Sequence, residues 1–529
     1  PFRWFRRASC ALFPVVAGPP LLPTNNETYD IAVIGGGING AGIARDAAGR
    51  GYCVFLAEQG DLAQGTSSGS TKLIHGGLRY LEQYEFGLVR EALKEREVLL
   101  SIAPHIVRPM RFVLPVEAGM RPAWLIRAGL VLYDHLGGRK RLAGTRRLDL
   151  ATDRAGAALK QGATSAFEYA DCWVDDARLV VINAVDAAVR GAEIAPRTRV
   201  LRARAGNDAA DRHWIVEVED GTTGRRREVK ARVLVNAAGP WADAVSRTVL
   251  GDNRSQRVRL VKGSHVVVPR LFDHERSYTF QGRDGRVMFA IPYEDRFTLL
   301  GTTEVDYKGD PGQAAISAAE RDYILEIAND RFIRQTAPGD IVWSFAAVRP
   351  RVDDGGGRAQ AQSRGYRIDV SPEAGAGLIT ITGGKITTYR KLAESVLVAV
   401  DTALGRKTES WTGGEALPGG NFDPDGAGDE TRRLAARYPF LDMAQCARLL
   451  RTYGTKAQDV LGDARQPADL GESFGGGLTS REVAYLRERE WARTSEDILW
   501  RRTKLGLFLT PGQRAGLEAL LDPDDAASP

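Results

Sequence analysis

Residues 30–58 read DIAVIGGGINGAGIARDAAGRGYCVFLAE. An apolar strand enters three glycines spaced as Gly35-x-Gly37-x-x-Gly40, and a helical pattern follows. In this order the glycines allow a tight turn, the approach of a pyrophosphate to the backbone, and close packing of the helix on the strand. A second apolar run ends on Glu58, about twenty residues further on, where a carboxylate accepts hydrogen bonds from an adenosine ribose. This stretch therefore predicts a dinucleotide-binding βαβ unit whose helix N terminus faces the phosphates.

The composition is that of a globular protein of two or three domains. The chain has 529 residues, 43% of them hydrophobic, and a net charge of only +5, which by itself indicates no nucleic-acid partner. Four cysteines lie far apart, so the sequence predicts neither a disulfide framework nor a metal site, and a reducing compartment fits best. Because no apolar run reaches the ~18–20 residues needed to cross a bilayer, membrane association is expected to be peripheral.

Two later stretches are also expected to approach the cofactor, and the second of them mirrors the opening stretch. The apolar strand 231–236 runs into small residues and then Gly239 and Trp241. The stretch LITITGGKITTYRKLAESVLVAV, residues 378–400, reads as strand, glycine turn and helix. Lys385 and Thr387 fall in the first turn of that predicted helix, where they suit the stabilisation of negative charge on a reduced isoalloxazine ring or a substrate.

Between these stretches the pattern changes. Short alternating segments from residue 258 to 303 predict an antiparallel sheet, which is a second domain rather than further βαβ units. An NAD enzyme usually has one compact nucleotide-binding domain, whereas here the segments expected to face the cofactor recur at 35–80, 236–241 and 383–390. This interleaving favours an extended, buried FAD over a nicotinamide.

The predicted cofactor contacts include the hydroxyl-rich loop that follows Glu58, because loops at strand C termini build the sites of such sheets. The full set is Gly35, Gly37, Gly40, Glu58, Thr66, Ser67, Ser70, Lys72, Gly239, Trp241, Gly384, Lys385 and Thr387. Three basic residues, Arg79, Arg349 and Lys385, also lie at strand or loop ends expected to converge on the flavin. A guanidinium matches phosphate or carboxylate, so the predicted substrate is a small anion.

The predicted fold class is α/β (α+β overall): a Rossmann-like FAD-binding domain with an interleaved antiparallel-sheet substrate domain and a C-terminal helical domain. The predicted boundaries are an extension at 1–28, an oxidoreductase core at 29–404, a linker at 405–428 and a helical domain at 429–529. Within the core, FAD-binding segments are expected at about 29–110, 170–256 and 341–404, and substrate-domain segments at about 111–169 and 257–340.

The charged C-terminal segment LREREWARTSEDILWRRTKLGLF, residues 486–508, allows two interpretations. It forms a solvated charged face, or it docks on anionic lipid. Its basic residues are Arg487, Arg489, Arg493, Arg501, Arg502 and Lys504.

Several motifs together closely resemble the FAD-dependent, aerobic glycerol-3-phosphate dehydrogenases. They include GGGINGAGIARDAAGRG, TSSGSTKLIHGGLRYLE, NAAGPWAD, GGKITTYRKLAE and EWARTSEDILWRRTKLGL, and the resemblance covers roughly Tyr29 to Leu507. The resemblance implies that sn-glycerol 3-phosphate is oxidised to dihydroxyacetone phosphate, with hydride passing to the flavin and electrons leaving to membrane quinone. It places the family's substrate-binding positions on Arg79, Tyr80, Arg349 and Lys385.

Two histidines are candidates for accepting the hydroxyl proton. His75 comes first because it shares a loop with Arg79, and His265 is second; Arg349 would also polarise the developing alkoxide. The extension before Tyr29 departs from the family's usual bacterial start, whereas the missing calcium-binding tail of the mitochondrial branch favours a bacterial enzyme. We expect it to be cytoplasmic, peripheral to an anionic inner-membrane surface, and a homodimer.

Two alternatives remain open from the sequence. A glycerol-3-phosphate oxidase, which passes electrons to oxygen, shares most of these motifs. A flavin-binding, RNA-associated protein is suggested by the pI near 9.0 alone, and the sequence shows no aromatic-interleaved basic stripe to support it.

Overall fold

The computed structural model describes residues 28–117, 119–160, 162–206, 212–251, 258–282, 284–352, 365–371 and 377–521. The N-terminal extension predicted at 1–28 lies outside the described residues except for Thr28, as do the last eight residues of the predicted helical domain.

The strands, in chain order, are β1 Tyr29–Ile34, β2 Val54–Ala57, β3 Leu73–Ile74, β4 Val107–Pro115, β5 Arg146–Asp149, β6 Ser165–Val174, β7 Glu193–Ala195, β8 Thr198–Ala205, β9 Trp214–Asp220, β10 Arg226–Asn236, β11 Val258–Pro269, β12 Ser277–Gln281, β13 Val287–Tyr293, β14 Phe297–Gly301, β15 Val305–Asp306, β16 Trp343–Val352, β17 Tyr366–Ser371, β18 Gly377–Gly383, β19 Ser473–Gly475 and β20 Leu478–Thr479.

The α-helices are α1 Ile38–Gly49, α2 Phe86–Ile102, α3 Ala123–Leu136, α4 Asp176–Val189, α5 Ala242–Thr248, α6 Ala318–Arg331, α7 Tyr389–Leu404, α8 Ala427–Arg437, α9 Met443–Tyr453, α10 Ala457–Leu461, α11 Ser480–Glu490 and α12 Pro511–Leu521. Short 3₁₀ turns include Thr66–Ser68, Leu78–Gln83, Gly239–Trp241 and Ile386–Thr388, and a π-helical turn spans Asp497–Arg502.

The first sheet contains the predicted dinucleotide-binding unit. Its described strands run in the order β17-β18-β10-β1-β2-β7, with β9 and β8 added beside β10. From β18 to β7 all neighbours are parallel, and their near-continuous apolar sequences are buried on both faces. The register aligns Ile34 of β1 with Ala57 of β2 and Asn236 of β10. The residues that follow these three strands therefore meet at one edge of the sheet.

The second sheet is built from the short alternating segments. Its described strands run β15-β11-β14-β13-β12-β4-β6-β3, with β16 beside β11 and β5 beside β6. The pairing is antiparallel as predicted, apart from β12 with β4, which is parallel. Two strands that the sequence placed in FAD-binding segments, β3 and β16, pair with this sheet. β16 pairs along its whole length with β11 of the second sheet and also contacts β18 of the first sheet. Residues of β16 therefore lie close to both sheets.

The C-terminal helical unit, residues 427–521 with helices α8–α12, has a core of its own. Leu449, Tyr453, Leu486 and Ile498 are among its buried residues. The predicted fold class is therefore confirmed: a parallel nucleotide-binding sheet, an antiparallel sheet and a C-terminal helical unit. None of the described helices is long and apolar enough to cross a membrane.

Candidate cofactor and substrate site

A cavity of about 1870 Å³ lies where the two sheets meet. It is larger than the ~300–1,000 Å³ of an ordinary ligand pocket, so there is room for an extended dinucleotide together with a small substrate. All the cofactor contacts predicted from the sequence line it except Gly40 and Lys72, and all the substrate candidates line it. Among the described residues, no group of His, Cys, Asp and Glu side chains has the arrangement of a metal site.

The turn between β1 and α1, where the sequence predicts the pyrophosphate, lines this cavity. Gly35 has a φ of +112°, a conformation that L side chains rarely adopt. A Cβ on Gly40 would lie 1.9 Å from the carbonyl oxygen of Gly35, so this glycine allows the helix to pack on the turn, and it does not line the cavity. The N-cap residue of α1 is Gly37, which has no side chain to cover the helix N terminus, and Gly37 lines the cavity. The open helix N terminus at the cavity is consistent with the prediction that this turn binds a pyrophosphate, which stays a prediction.

Glu58 follows β2 at the same edge. Its two carboxylate oxygens accept hydrogen bonds from the backbone N–H groups of Gly36, at 2.6 Å, and Gly60, at 2.8 Å. Burial raises the pKa of Glu58, and the backbone hydrogen bonds oppose that rise. Because a carboxylate can accept about four hydrogen bonds, Glu58 retains capacity for a ribose while it fixes the turn around it.

The hydroxyl-rich loop is held by contacts on both sides. Ser67 Oγ accepts a hydrogen bond from the N–H of Ile38, the first residue of α1, at 3.0 Å. Thr66 Oγ1 donates to the carbonyl oxygen of Val348 at 2.5 Å, and Ser70 Oγ donates to Asp176 at 2.7 Å. The loop thus joins α1, β16 and the start of α4, with its neutral hydroxyls along the cavity wall.

Lys72 does not line the cavity, contrary to the sequence prediction. Its side chain is fully buried, pairs with Asp176 at 2.8 Å and donates to the carbonyl oxygen of Ser68 at 3.0 Å. Burial lowers the pKa of Lys72, while Asp176 favours its charged form. The physical reason is that a buried ammonium needs a counter-ion, and the carboxylate at the start of α4 supplies it inside the protein rather than in the cavity.

The basic residues predicted for the substrate line the same cavity as the glycine turn. Arg79, Arg349 and Lys385 all line it, and Lys385 Nζ lies 3.9 Å from the centre of the Tyr80 ring. A cation over an aromatic face is attracted by the ring quadrupole, so Tyr80 orients the ammonium. The guanidinium of Arg349 passes over Gly263 of β11, where an added Cβ would lie 2.8 Å from Nη2.

Both candidate histidines line the cavity, but their surroundings differ. The backbone N–H of His75 donates to Thr387 Oγ1 at 3.3 Å, which joins the substrate loop to the turn before α7. His265 is buried, its Nε2 lies 3.0 Å from Thr71 Oγ1, and its ring stacks on Phe345. Burial, Lys72 and Arg349 lower the pKa of His265 to about 3, so this ring is neutral at physiological pH.

The turn before α7 also differs slightly from the prediction. Lys385 and Thr387 precede the α-helix, which begins at Tyr389, and Thr387 belongs to a 3₁₀ turn rather than to the helix's first turn. Both residues nevertheless line the cavity, as does Gly384.

The cavity lining includes residues that the sequence did not predict as part of the site, among them two pairs from later parts of the chain. Trp343 and Phe345 come from β16, and Trp500 and Arg501 come from the π-helical turn of the C-terminal unit. Trp343 stacks on Trp500 with ring centres 4.4 Å apart. Trp343, Phe345 and Arg349 occupy alternate positions of one strand, a pattern that predicts a shared face. Nothing in the sequence around residues 500–501 predicts contact with a cavity formed mainly by earlier parts of the chain.

The sequence predicted that the basic residues of segment 486–508 face either solvent or anionic lipid. For three of the six, neither prediction is correct. Arg501, Arg502 and Lys504 are buried, whereas Arg487, Arg489 and Arg493 are exposed. Arg501 and Arg502 pair with Asp61, and Lys504 pairs with Asp175 at 3.0 Å. These charges are satisfied within the protein, so they offer nothing to solvent or to lipid.

The fold and this cavity define an FAD-dependent oxidoreductase. Residues 30–390 match the family model described as FAD dependent oxidoreductase, and residues 410–522 match that of the C-terminal domain of alpha-glycerophosphate oxidase. The chain is 50% identical to the glycerol-3-phosphate dehydrogenase of Pseudomonas aeruginosa over 95% of its length and 97% of that protein. It is 49% identical to the D-erythritol 1-phosphate dehydrogenase of Brucella abortus, over 94% and 98% of the two chains.

A solved structure agrees with these relatives. The glycerol-3-phosphate dehydrogenase of Bacillus halodurans complexed with FAD has a TM-score of 0.72 to this chain at 29% identity, covering 91% of this chain and 87% of that one. The chain belongs to the family of FAD-dependent glycerol-3-phosphate dehydrogenases, and FAD is its cofactor. The glycine turn at the N terminus of α1 and the size of the cavity fit this cofactor.

Proposed function

We propose that the chain oxidises the secondary alcohol of sn-glycerol 3-phosphate to the ketone of dihydroxyacetone phosphate. The observation that carries this proposal is that Arg79, Arg349 and Lys385 line the same cavity as His75 and the glycine turn before α1. When bound, FAD accepts the hydride and passes the electrons on to membrane quinone. The protein supplies the phosphate-binding charges, the orientation and the proton acceptor.

The division of roles follows from the side chains. Arg349 and Arg79 present guanidinium groups, which bind phosphate oxygens in pairs, and Lys385 adds a point charge held by the Tyr80 ring. His75 accepts the hydroxyl proton. His265 serves as a neutral hydrogen-bonding neighbour, because a base with a pKa near 3 takes up little proton at neutral pH. Arg349 also stabilises the negative charge that develops on the substrate oxygen.

Anaerobic addition of sn-glycerol 3-phosphate to the oxidised holoenzyme is expected to bleach the visible flavin absorbance within the turnover time. Because the cavity selects a phosphate, glycerol without phosphate should leave the spectrum unchanged at the same concentration. Stopped-flow absorbance measures both reactions. A flavin that glycerol 3-phosphate does not reduce would contradict the proposal.

D-Erythritol 1-phosphate is the second candidate substrate, because a relative of almost equal identity is named for it. It presents the same phosphate and secondary alcohols on a longer chain. The ratio of kcat/KM for the two substrates decides between them, and a ratio above unity for the erythritol phosphate would assign the chain to that substrate. Reoxidation of the reduced flavin by air or by a soluble quinone then decides the acceptor, since rapid reaction with oxygen would indicate an oxidase.

We also propose that the protein contacts an anionic membrane through α3 rather than through the segment 486–508. Trp124 is 71% exposed on α3, together with Leu125, Val131 and Leu132. Exposed Arg127 lies within the helix, and basic residues 139–140 follow it. Apolar side chains beside basic ones suit the interface of an anionic bilayer. Leu125 and Leu132 also line the cavity, which supports entry of a lipid-soluble quinone from this face.

The substitution Trp124→Glu is expected to lower binding to anionic vesicles by about tenfold, because it removes the largest exposed apolar side chain of α3 and adds a repelled charge. Flotation with phosphatidylglycerol vesicles measures the effect, with Val398→Glu, an exposed apolar position on α7, as the matched control. Activity with a soluble acceptor should be unchanged. The assignment of α3 to lipid would be overturned if the Trp124→Glu protein bound vesicles as well as the unsubstituted protein. It would also be overturned if the substitution converted a dimer into monomers without changing vesicle binding.

A further inference from the structure

The C-terminal unit contacts the turn that carries Glu58. Arg502 is fully buried in the π-helical turn and donates to both oxygens of Asp61, at 2.8 and 2.9 Å. Arg501 Nε donates to the same carboxylate at 2.6 Å. Asp61 is 1% exposed, so two guanidinium groups from the far end of the chain share one buried counter-ion. Charge-assisted bidentate bonds of this kind fix position as well as adding energy.

Asp61 belongs to the turn that forms the adenosine end of the cavity. Its backbone N–H donates to Gln64 Oε1 at 2.8 Å, and the N–H of the preceding Gly60 donates to Glu58 Oε1 at 2.8 Å. Glu58, Gly60 and Gln64 line the cavity. A shift of the Asp61 carboxylate would therefore move the residues that receive the ribose.

Arg197 makes a second connection between the same two parts of the chain. Its backbone N–H donates to the carbonyl oxygen of Gly60 at 2.8 Å, and its guanidinium pairs with Asp497 of the π-helical turn. Arg501 also pairs with Asp497, and its side chain lines the cavity beside the turn. The Glu58 turn is thus connected to a set of five charged side chains, Asp61, Arg197, Asp497, Arg501 and Arg502, and residues 497–502 supply three of them.

We propose that Arg502, acting through Asp61, is a positioning residue for the adenosine end of FAD, and that the C-terminal unit thereby controls how tightly the enzyme retains its cofactor. The pair of Arg448 and Glu482 in the same unit does not have this connection. Arg448 binds both oxygens of Glu482 at 2.8 Å, and Tyr453 donates to the same carboxylate, all within the helical core. Arg448 and Glu482 do not line the cavity.

The test uses Arg502→Lys, which keeps the charge but loses the planar fork. We expect FAD to leave the holoenzyme about tenfold faster, measured as the rise of free-flavin fluorescence after dilution at a temperature well below unfolding. With excess FAD, kcat should stay within about twofold of the unsubstituted enzyme, because the reacting end of the cavity is untouched. Asp61→Asn is the second variant, used also if Arg502→Lys does not fold, and the same acceleration is expected.

The matched control is Arg448→Lys, the same change at a partly buried arginine of the same unit that also binds both oxygens of a carboxylate. Both lysine variants should lower the thermal unfolding midpoint by similar amounts, but only Arg502→Lys should speed FAD release. Equal acceleration in the two variants would show that FAD loss follows general destabilisation and would overturn the proposal. FAD release at the unsubstituted rate in both Arg502→Lys and Asp61→Asn would overturn it equally.

Discussion

The substitution Arg349→Glu is expected to lower kcat/KM for sn-glycerol 3-phosphate by about 10³-fold or more while FAD stays bound. Each hydrogen bond to a charged group contributes roughly 1.5–3 kcal/mol, and a guanidinium fork makes two of them. Charge reversal also repels the phosphate directly. KM should rise because phosphate binding is lost, and kcat should fall because the developing alkoxide loses its partner.

Steady-state kinetics with a soluble acceptor measure this effect, and the visible flavin spectrum reports that FAD remains bound. Arg487→Glu is the matched control, since Arg487 is exposed on α11 and does not line the cavity. It should keep kcat/KM within about twofold. An Arg349→Glu enzyme with unchanged kinetics would remove Arg349 from the substrate site and, with it, the main support for an anionic substrate.

The second large effect is expected at the buried pair of Lys72 and Asp176, whose side chains are both fully buried. Asp176→Asn keeps the shape but leaves the Lys72 ammonium without a counter-charge, which costs about 3–5 kcal/mol for buried pairs. Ser70, which donates to the same carboxylate, would lose its alignment. The thermal unfolding midpoint should therefore fall by roughly 10 °C at a fixed scan rate.

Adding Lys72→Met to Asp176→Asn should recover part of the lost stability, because removing both charges removes the unpaired ion. The control is Glu228→Gln, which breaks the exposed pair with Arg204 and should cost less than about 1 kcal/mol. If Asp176→Asn unfolds at the same temperature as the unsubstituted protein, Lys72 is not held by this carboxylate in solution.

Much of the site was predictable because its parts lie at strand ends. Gly35, Glu58, Gly239 and Gly384 each follow an apolar strand, and the carboxyl ends of neighbouring parallel strands meet at one edge. The same reasoning predicted that Lys385, which follows β18, faces the cavity. Arg349 also lines the cavity, but it lies within β16, paired with Val261 of β11, and not at a strand end as predicted. The prediction was wrong for Lys72. The sequence shows a lysine in a loop expected to contact the cofactor, but it does not show that the carboxylate of Asp176, 104 positions away, binds this lysine.

The charged segment shows the same limit more clearly. Arg487 and Arg501 look alike in sequence, both lying among acidic neighbours, yet one is exposed and the other buried. What separates them is Asp61, which lies 440 positions from Arg501 in the chain. Charge density along a segment therefore did not report whether its charges reach solvent.

The sequence by itself determined the dinucleotide-binding unit, the choice of FAD and the family, because each depends on spacing within a few tens of residues or on motifs in a fixed order. Only the tertiary structure decided that β16 joins the antiparallel sheet, that Lys72 pairs inside the protein, and that residues 497–502 hold the Glu58 turn. Those outcomes depend on which distant charges and strands become neighbours, and burial makes that pairing obligatory, since an ion without a partner is too costly to remove from water.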